Sequence, residues 1–108
     1  MTTFDDREKA FEAKYRLDQE VLFKVTIRRD KLLGLWAAEK LGLSGDAAKA
    51  YALTVVDAEF SEPDHDVGHK VMRDFNERGI AMDEDALRSE MARLQEVARR
   101  QIMEDLKK

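Results

Sequence analysis

The first 33 residues of the chain contain neither glycine nor proline, the two residues that most often interrupt regular structure. A stretch of this length without a breaker favours helix over a series of short strands joined by turns. Acidic residues that precede basic ones by four positions also support a helix. They are the pairs Asp5 with Lys9, Glu12 with Arg16, and Glu20 with Lys24. Because Lys40 and Gly42 have the pattern of a last helical turn and its following glycine, the sequence predicts helical structure over residues 5–41, with room for an interruption.

The segment 21–27, VLFKVTI, also fits a β-strand, because apolar residues alternate along it and three of the four are β-branched. No second run in the chain has the pattern of a partner strand, and a strand without a partner is not stable. We therefore predict that this segment is helical, with a middle weakened by its β-branched residues.

The rest of the sequence predicts three further helices. The second covers residues 46–60, and its apolar residues lie on two faces, which predicts packing on more than one side. One face carries Ala48, Tyr51, Ala52, Val55 and Glu59, and the other carries Leu53, Val56 and Phe60. The third helix is expected to start at Ser61, with Pro63 in its first turn, and to end before Gly79. Asp83 opens the fourth, whose apolar stripe is Leu87, Met91, Leu94, Ala98, Ile102 and Leu106.

Four helices joined by short loops predict an all-α fold, a four-helix antiparallel bundle with a long first helix. At 1.5 Å per residue the first helix would span roughly 55 Å, against about 22 Å for the second and the third. The excess lies at the N-terminus, where Phe4, Phe11 and Tyr15 share one side of a helix. We predict a mobile or protruding arm over residues 1–20 and a bundle over residues 21–108. The aromatic side of the arm either folds back onto the bundle or lies in the groove of a partner protein.

Composition argues against several classes of function. The formal charge of −4 disfavours nucleic-acid binding, and the absence of cysteine excludes disulfides and thiolate-ligated clusters. No apolar run is long enough for direct membrane insertion. The acidic N-terminus does not have the pattern of a secretory signal, so a cytoplasmic location is expected. No nucleophile, histidine and acid follow a catalytic pattern, and we expect no enzymatic activity, no catalytic residue and no cofactor.

Two histidines leave an alternative open. His65 and His69 are four residues apart, beside Asp64 and Asp66, a spacing that can place two imidazoles on one metal ion. The chain has no third histidine and no cysteine to complete such a site, so we predict no metal site. The alternative function is a helical bundle that senses a metal or a small ligand through these histidines or through an interhelical pocket. A homodimer whose arms pair as a coiled coil is a further hypothesis.

Three segments resemble the zeta subunit of alphaproteobacterial F-type ATP synthases. They are residues 4–15 (FDDREKAFEAKY), residues 28–48 (RRDKLLGLWAAEKLGLSGDAA) and residues 51–52. The resemblance extends over essentially the whole chain, and KLLGLWAAEKLG is its most distinctive string. It implies an inhibitor of ATP hydrolysis that is a monomer when free and is peripheral to the inner membrane through the synthase.

The resemblance also implies how inhibition works. The N-terminal segment, residues 2–16, enters the interface between an alpha and a beta subunit and reaches the gamma subunit, where it stops rotation in the hydrolytic direction. The implied partner-binding residues are Thr3, Phe4, Asp5, Asp6, Arg7, Glu8, Lys9, Phe11, Glu12, Lys14, Tyr15 and Arg16. Residues 25–27 (VTI) depart from the family pattern of alanine and acidic residues, which predicts a hinge between the arm and the bundle.

Overall fold

The computed structural model describes residues 18–107, which form four α-helices and no strand. The helices are α1 (Gln19–Lys40), α2 (Gly45–Ser61), α3 (Val67–Glu77) and α4 (Glu84–Lys107). Consecutive helices pack against one another, and α1 also packs along α4. The all-α fold and the four-helix bundle are thus confirmed. The helix prediction for residues 21–27 is confirmed too, because this segment lies within α1.

α1 begins at a capped end and not within a longer helix. Asp18 has an extended backbone, with φ −78° and ψ 122°, and its carboxylate accepts a hydrogen bond from the Glu20 N–H at 2.8 Å. The prediction over residues 5–41 left room for an interruption, and α1 does not pass through Asp18, while the residues before it lie outside the described part of the chain. The hinge predicted at residues 25–27 is wrong, since they lie inside α1 and Val25 is buried.

The start of α3 differs from the prediction as well. Ser61 is the last residue of α2 and not the cap of the next helix. Glu62 has an extended backbone, with ψ 133°, because the following Pro63 disfavours the helical conformation at that position. The N-cap of α3 is Asp66, whose side chain accepts a hydrogen bond from the Gly68 N–H at 2.9 Å. The chain therefore needs five residues between α2 and α3, from 62 to 66.

Other predicted helix ends are confirmed. Gly42 and Gly79 follow the ends of α1 and α3 with φ of 81° and 69°, a left-handed backbone that favours glycine. Asp83 precedes α4, and its carboxylate accepts a hydrogen bond from the Ala86 N–H at 3.2 Å. The predicted stripe of α4 faces the interior, where its buried members are Leu87, Leu94, Ala98 and Ile102.

All four helices contribute to the main hydrophobic core. Its buried residues are Leu33, Ala37, Leu41, Val55, Ala58, Val67, Val71, Phe75, Leu87 and Leu94. A smaller cluster joins the N-terminal half of α1 to the C-terminal half of α4 through Val21, Val25, Ala98 and Ile102. α1 takes part in both clusters, so it is the element that joins the two ends of the bundle.

α2 buries one of its two predicted apolar faces completely and the other only in part. Ala52, Val55 and Ala58 are buried. On the second face Val56 is half-buried, whereas Leu53 and Phe60 are 60% and 56% accessible to solvent among the described residues. Because α2 contacts both α1 and α3, packing on more than one side is confirmed, although Leu53 and Phe60 are not covered in this part of the chain.

α1 and α2 cross at very short range at Gly34 and Ala52. A Cβ atom built on Gly34 would lie 2.5 Å from the Ala52 Cα atom and 2.9 Å from its Cβ atom, closer than real Cβ atoms pack. Only glycine therefore permits this crossing without movement of a backbone. The glycine that ends the breaker-free stretch is consequently a packing residue inside α1 and does not end the helix.

We expect Gly34→Ala to destabilise the bundle by about 1–3 kcal/mol, because the added methyl group would force α1 and α2 apart. On helix propensity alone the same substitution would stabilise an exposed helix by about 1 kcal/mol, so the two effects differ in sign. Urea unfolding monitored by circular dichroism measures the difference. An unchanged or increased free energy of unfolding would contradict the close crossing.

Candidate functional site

The predicted partner-binding residues all precede Asp18, and they lie outside the residues that the structure describes. The arm over residues 1–20, its aromatic side and its contacts therefore stay predictions. What the structure adds is the point of attachment, since α1 begins at Gln19 behind the Asp18 cap.

A buried group of charged and polar side chains joins three helices near the middle of α1. Asp30 is fully buried, and its Oδ1 atom accepts hydrogen bonds from Arg29 Nε at 3.0 Å and Nη2 at 2.8 Å. Arg29 also donates to Glu59 of α2 at 3.2 Å and to Gln95 of α4 at 3.3 Å. One guanidinium thus ties α1 to both of its long neighbours.

The second oxygen of Asp30, Oδ2, is buried and has no hydrogen-bond partner within the described part of the chain. Burial, together with a hydrogen bond to the neighbouring Glu59 carboxyl, raises the pKa of Asp30 to about 8, although Arg29 opposes the shift. A pKa raised to about 8 favours the protonated form of Asp30 near neutral pH.

This protonated carboxyl predicts a pH dependence of stability. Below pH 8 the folded chain keeps a proton that an unfolded Asp30, with an ordinary pKa near 4, releases. We therefore expect the free energy of unfolding to fall as the pH rises from about 4 to about 8, by at most about 1.4 kcal/mol per pH unit.

Urea titrations at several pH values in this range measure the slope, and Asp30→Asn is the control because its neutral amide cannot titrate. We expect a flatter profile for Asp30→Asn than for the unchanged chain. Equal slopes for both proteins would show that Asp30 is already ionised in the folded state.

The sequence prediction missed Asp30, since it lies in the basic run of Arg28, Arg29 and Lys31. The spacing of Asp30 from the apolar residues of α1 could have indicated its burial. Asp30 precedes Leu33 by three residues and Ala37 by seven, which places it on the buried face of α1.

A second polar cluster lies at the start of α3. His69 Nδ1 lies 2.5 Å from Asp64 Oδ2, and His69 Nε2 lies 3.5 Å from Asp66 Oδ2. One ligand atom from each of these residues falls within 4.8 Å of the others, which suits a metal ion in distance. His65 faces elsewhere, with its Nδ1 atom 3.0 Å from the Glu59 carbonyl oxygen. Among the described residues, the histidine pair predicted from the spacing is therefore replaced by one histidine and two aspartates.

The chemistry of Asp66 argues for a structural role of this cluster. Its two oxygens accept hydrogen bonds from Arg88 Nη1 and Nη2, each at 2.8 Å, and Oδ1 also caps α3. Arg88 is the main reason that the pKa of Asp66 lies below its ordinary value. A metal ion would have to displace this arginine, and three protein ligands are fewer than a structural zinc site uses. The cluster joins the start of α3 to α4.

We expect micromolar zinc to leave the melting temperature of the protein unchanged, because Arg88 already neutralises Asp66. Thermal unfolding with and without zinc, followed by circular dichroism, measures the effect. His69→Ala is the control for binding elsewhere. A zinc-dependent rise in melting temperature that is lost in His69→Ala would restore the metal-sensing alternative.

Two open clefts correspond to the predicted interhelical pocket. One has a volume of about 560 Å³ and is lined by Phe23 and Ile27 of α1 and by Ile102 and Leu106 of α4. The other, of about 470 Å³, lies between α1 and α2 beside Leu53. The cleft beside Leu53 is mainly apolar, which suits contact with another apolar surface better than recognition of a polar small molecule. The first cleft also has charged walls, from Lys24, Arg28, Lys31 and Asp105.

None of the helices in the described range 18–107 combines the length and the apolar character that a membrane span requires.

The family model described as ATPase inhibitor subunit zeta matches residues 1–101, which is nearly all of the 108-residue chain. The match includes residues 1–17 as well as most of the helical bundle. No curated protein matches the chain.

Proposed function

The chain belongs to the ATPase inhibitor subunit zeta family, and on this basis we propose that residues 2–16 inhibit ATP hydrolysis by entering a subunit interface of the ATP synthase head. Membership makes the protein a regulatory, non-catalytic subunit with an inhibitory role. The proposal adds the segment, the interface and the mechanism. Its main support is a family match that begins at residue 1 and so includes the segment that precedes α1.

The proposed mechanism is steric. Phe4, Phe11 and Tyr15 supply apolar contacts between an alpha and a beta subunit, and the tip of the segment reaches the gamma subunit and stops its rotation. An amphipathic helix in a groove is a common way to fill such an interface. The charged residues of the segment supply its polar contacts: Asp5, Asp6, Arg7, Glu8, Lys9, Glu12, Lys14 and Arg16.

The remaining residues, 21–108, have the role of an anchor in this proposal. Their bundle is too wide to follow the segment into the interface, so it docks on the outside of the head and limits the depth of insertion. The cap at Asp18 supports this division, since α1 begins there, at Gln19, after the last of the proposed inserted residues. The protein joins the synthase as a monomer and is peripheral to the membrane through it.

We expect Phe11→Asp to lower the maximal inhibition of ATP hydrolysis strongly, because a carboxylate would be buried in the subunit interface. The melting temperature should not change if Phe11 serves the partner and not the bundle. A hydrolysis assay with the purified ATP synthase head, together with thermal unfolding, measures both quantities. Phe11→Leu is the control, since it keeps an apolar side chain and should retain most of the inhibition.

Two results would contradict the proposal. Full inhibition by Phe11→Asp would remove the aromatic residue from the interface. A drop of several degrees in its melting temperature would show that Phe11 belongs to the core of the bundle.

A further inference from the structure

Among residues 18–107, one face of the bundle along α1 and α2 carries exposed apolar side chains. On α1, Phe23 and Leu35 are 52% and 37% exposed, and Lys31 lies between them at helical spacing. On α2, Leu53 and Phe60 are exposed by more than half. We call these residues, together with Lys49, the α1–α2 face.

The α1–α2 face is continuous. The rings of Phe23 and Phe60 lie 5.9 Å apart and join the two helices at one end. Lys31 lines both clefts, the one between α1 and α4 and the one beside Leu53, so the clefts meet at this residue. Exposed apolar surface of this extent is typical of a surface that contacts another protein.

The cleft within this face is lined by two lysines and no carboxylate, although the whole chain has a formal charge of −4 and the exposed Asp57 lies on α2 between Leu53 and Phe60. Lys31 and Lys49 line the cleft next to Leu35 and Leu53. Within residues 18–107 neither lysine has a carboxylate within ion-pair distance, whereas Lys24 pairs with Glu20 and Lys70 with Asp74. The cleft therefore presents two uncompensated positive charges beside an apolar floor.

We propose that the α1–α2 face docks the bundle onto a helix of the ATPase that carries apolar side chains flanked by carboxylates. The groove between two antiparallel helices has the shape that receives a third helix. Leu35 and Leu53 contact its apolar side, and Lys31 and Lys49 pair with its acidic residues. This inference rests on the proposed function, because it supplies the contact by which the bundle is anchored.

Charge also argues against the other occupants of this face. A second copy of the chain, paired through the same cleft, would add two more lysines to the interface and no carboxylate from the cleft lining. Residues 1–17 of the chain itself carry four acidic and four basic side chains, and so have no net negative charge to offer. An acidic helix of a partner satisfies both the apolar floor and the lysines.

The test compares Leu53→Glu with Ala50→Glu in the full chain. Both positions are exposed on α2, and both substitutions add one negative charge, but Ala50 does not line the cleft. Binding of each labelled protein to the purified ATP synthase head is measured by sedimentation, and inhibition by a hydrolysis assay. We expect Leu53→Glu to weaken binding by about tenfold or more and Ala50→Glu by less than about twofold.

The two proposals fail differently in this experiment. Because Leu53→Glu leaves residues 1–17 intact, its maximal inhibition at saturating concentration should equal that of the unchanged chain. Equal binding by Leu53→Glu and the unchanged chain would overturn the docking surface alone. Normal binding without inhibition by the unchanged chain would overturn the inhibitory segment and leave the docking surface standing.

The lysines provide a second, independent pair of variants, in case Leu53→Glu lowers the melting temperature. We expect Lys31→Glu and Lys49→Glu together to weaken binding and to remove its dependence on salt between about 50 and 300 mM, because screening acts on charges across the interface. Binding that stays strong and salt-dependent in this double variant would overturn the proposal. So would a concentration-dependent dimer of the unchanged chain that Leu53→Glu abolishes, since the face would then belong to a second copy.

Discussion

The arrangement of the bundle depends on the approach of α1 to α2 at Gly34 and Ala52. With no Cβ atom at position 34, the two backbones come closer than any other residue pair would allow. The distance between the axes then determines which neighbouring side chains are enclosed. Leu33 and Val55 are completely buried beside the crossing. Leu35 and Leu53, which directly follow the two crossing residues, remain accessible to solvent. One small residue thus decides both the core and the exposed apolar surface.

The same crossing explains why a charged group is buried nearby. Asp30 is one turn from Gly34 on α1, and the narrow separation leaves no room for it to reach solvent. Arg29 and Glu59 lie beside it and are half-buried, and the Arg29 guanidinium contacts side chains from three helices. Leaving a buried polar group without its hydrogen-bond partner is costly, so these residues define the alignment of α1 with its neighbours more strictly than apolar contacts do.

Local chemistry is what the sequence predicts well. Gly42, Gly79 and Asp83 identify helix ends because each acts through its own backbone or its own side chain. The alternating apolar segment in α1 is helical because the described residues contain no partner strand.

The sequence predicts less well which of two nearby residues caps a helix. Ser61 and Asp66 are both acceptable caps, and the restriction that Pro63 places on Glu62 decides between them. Whether Leu53 and Phe60 are covered depends on the tertiary arrangement, which periodicity within one helix does not contain. For the inhibitory segment the evidence is the family match, since residues 1–17 are outside the described part.

The cap at Asp18 has a consequence for how such a subunit can evolve. The Glu20 N–H of α1 bonds to the Asp18 cap, so a residue of the described part of the chain defines where the helix begins. Insertions, deletions or new side chains upstream of this position need not be transmitted into the packing of α1. The reach and chemistry of an N-terminal segment can thus be adjusted to a changing target while the folded body is conserved.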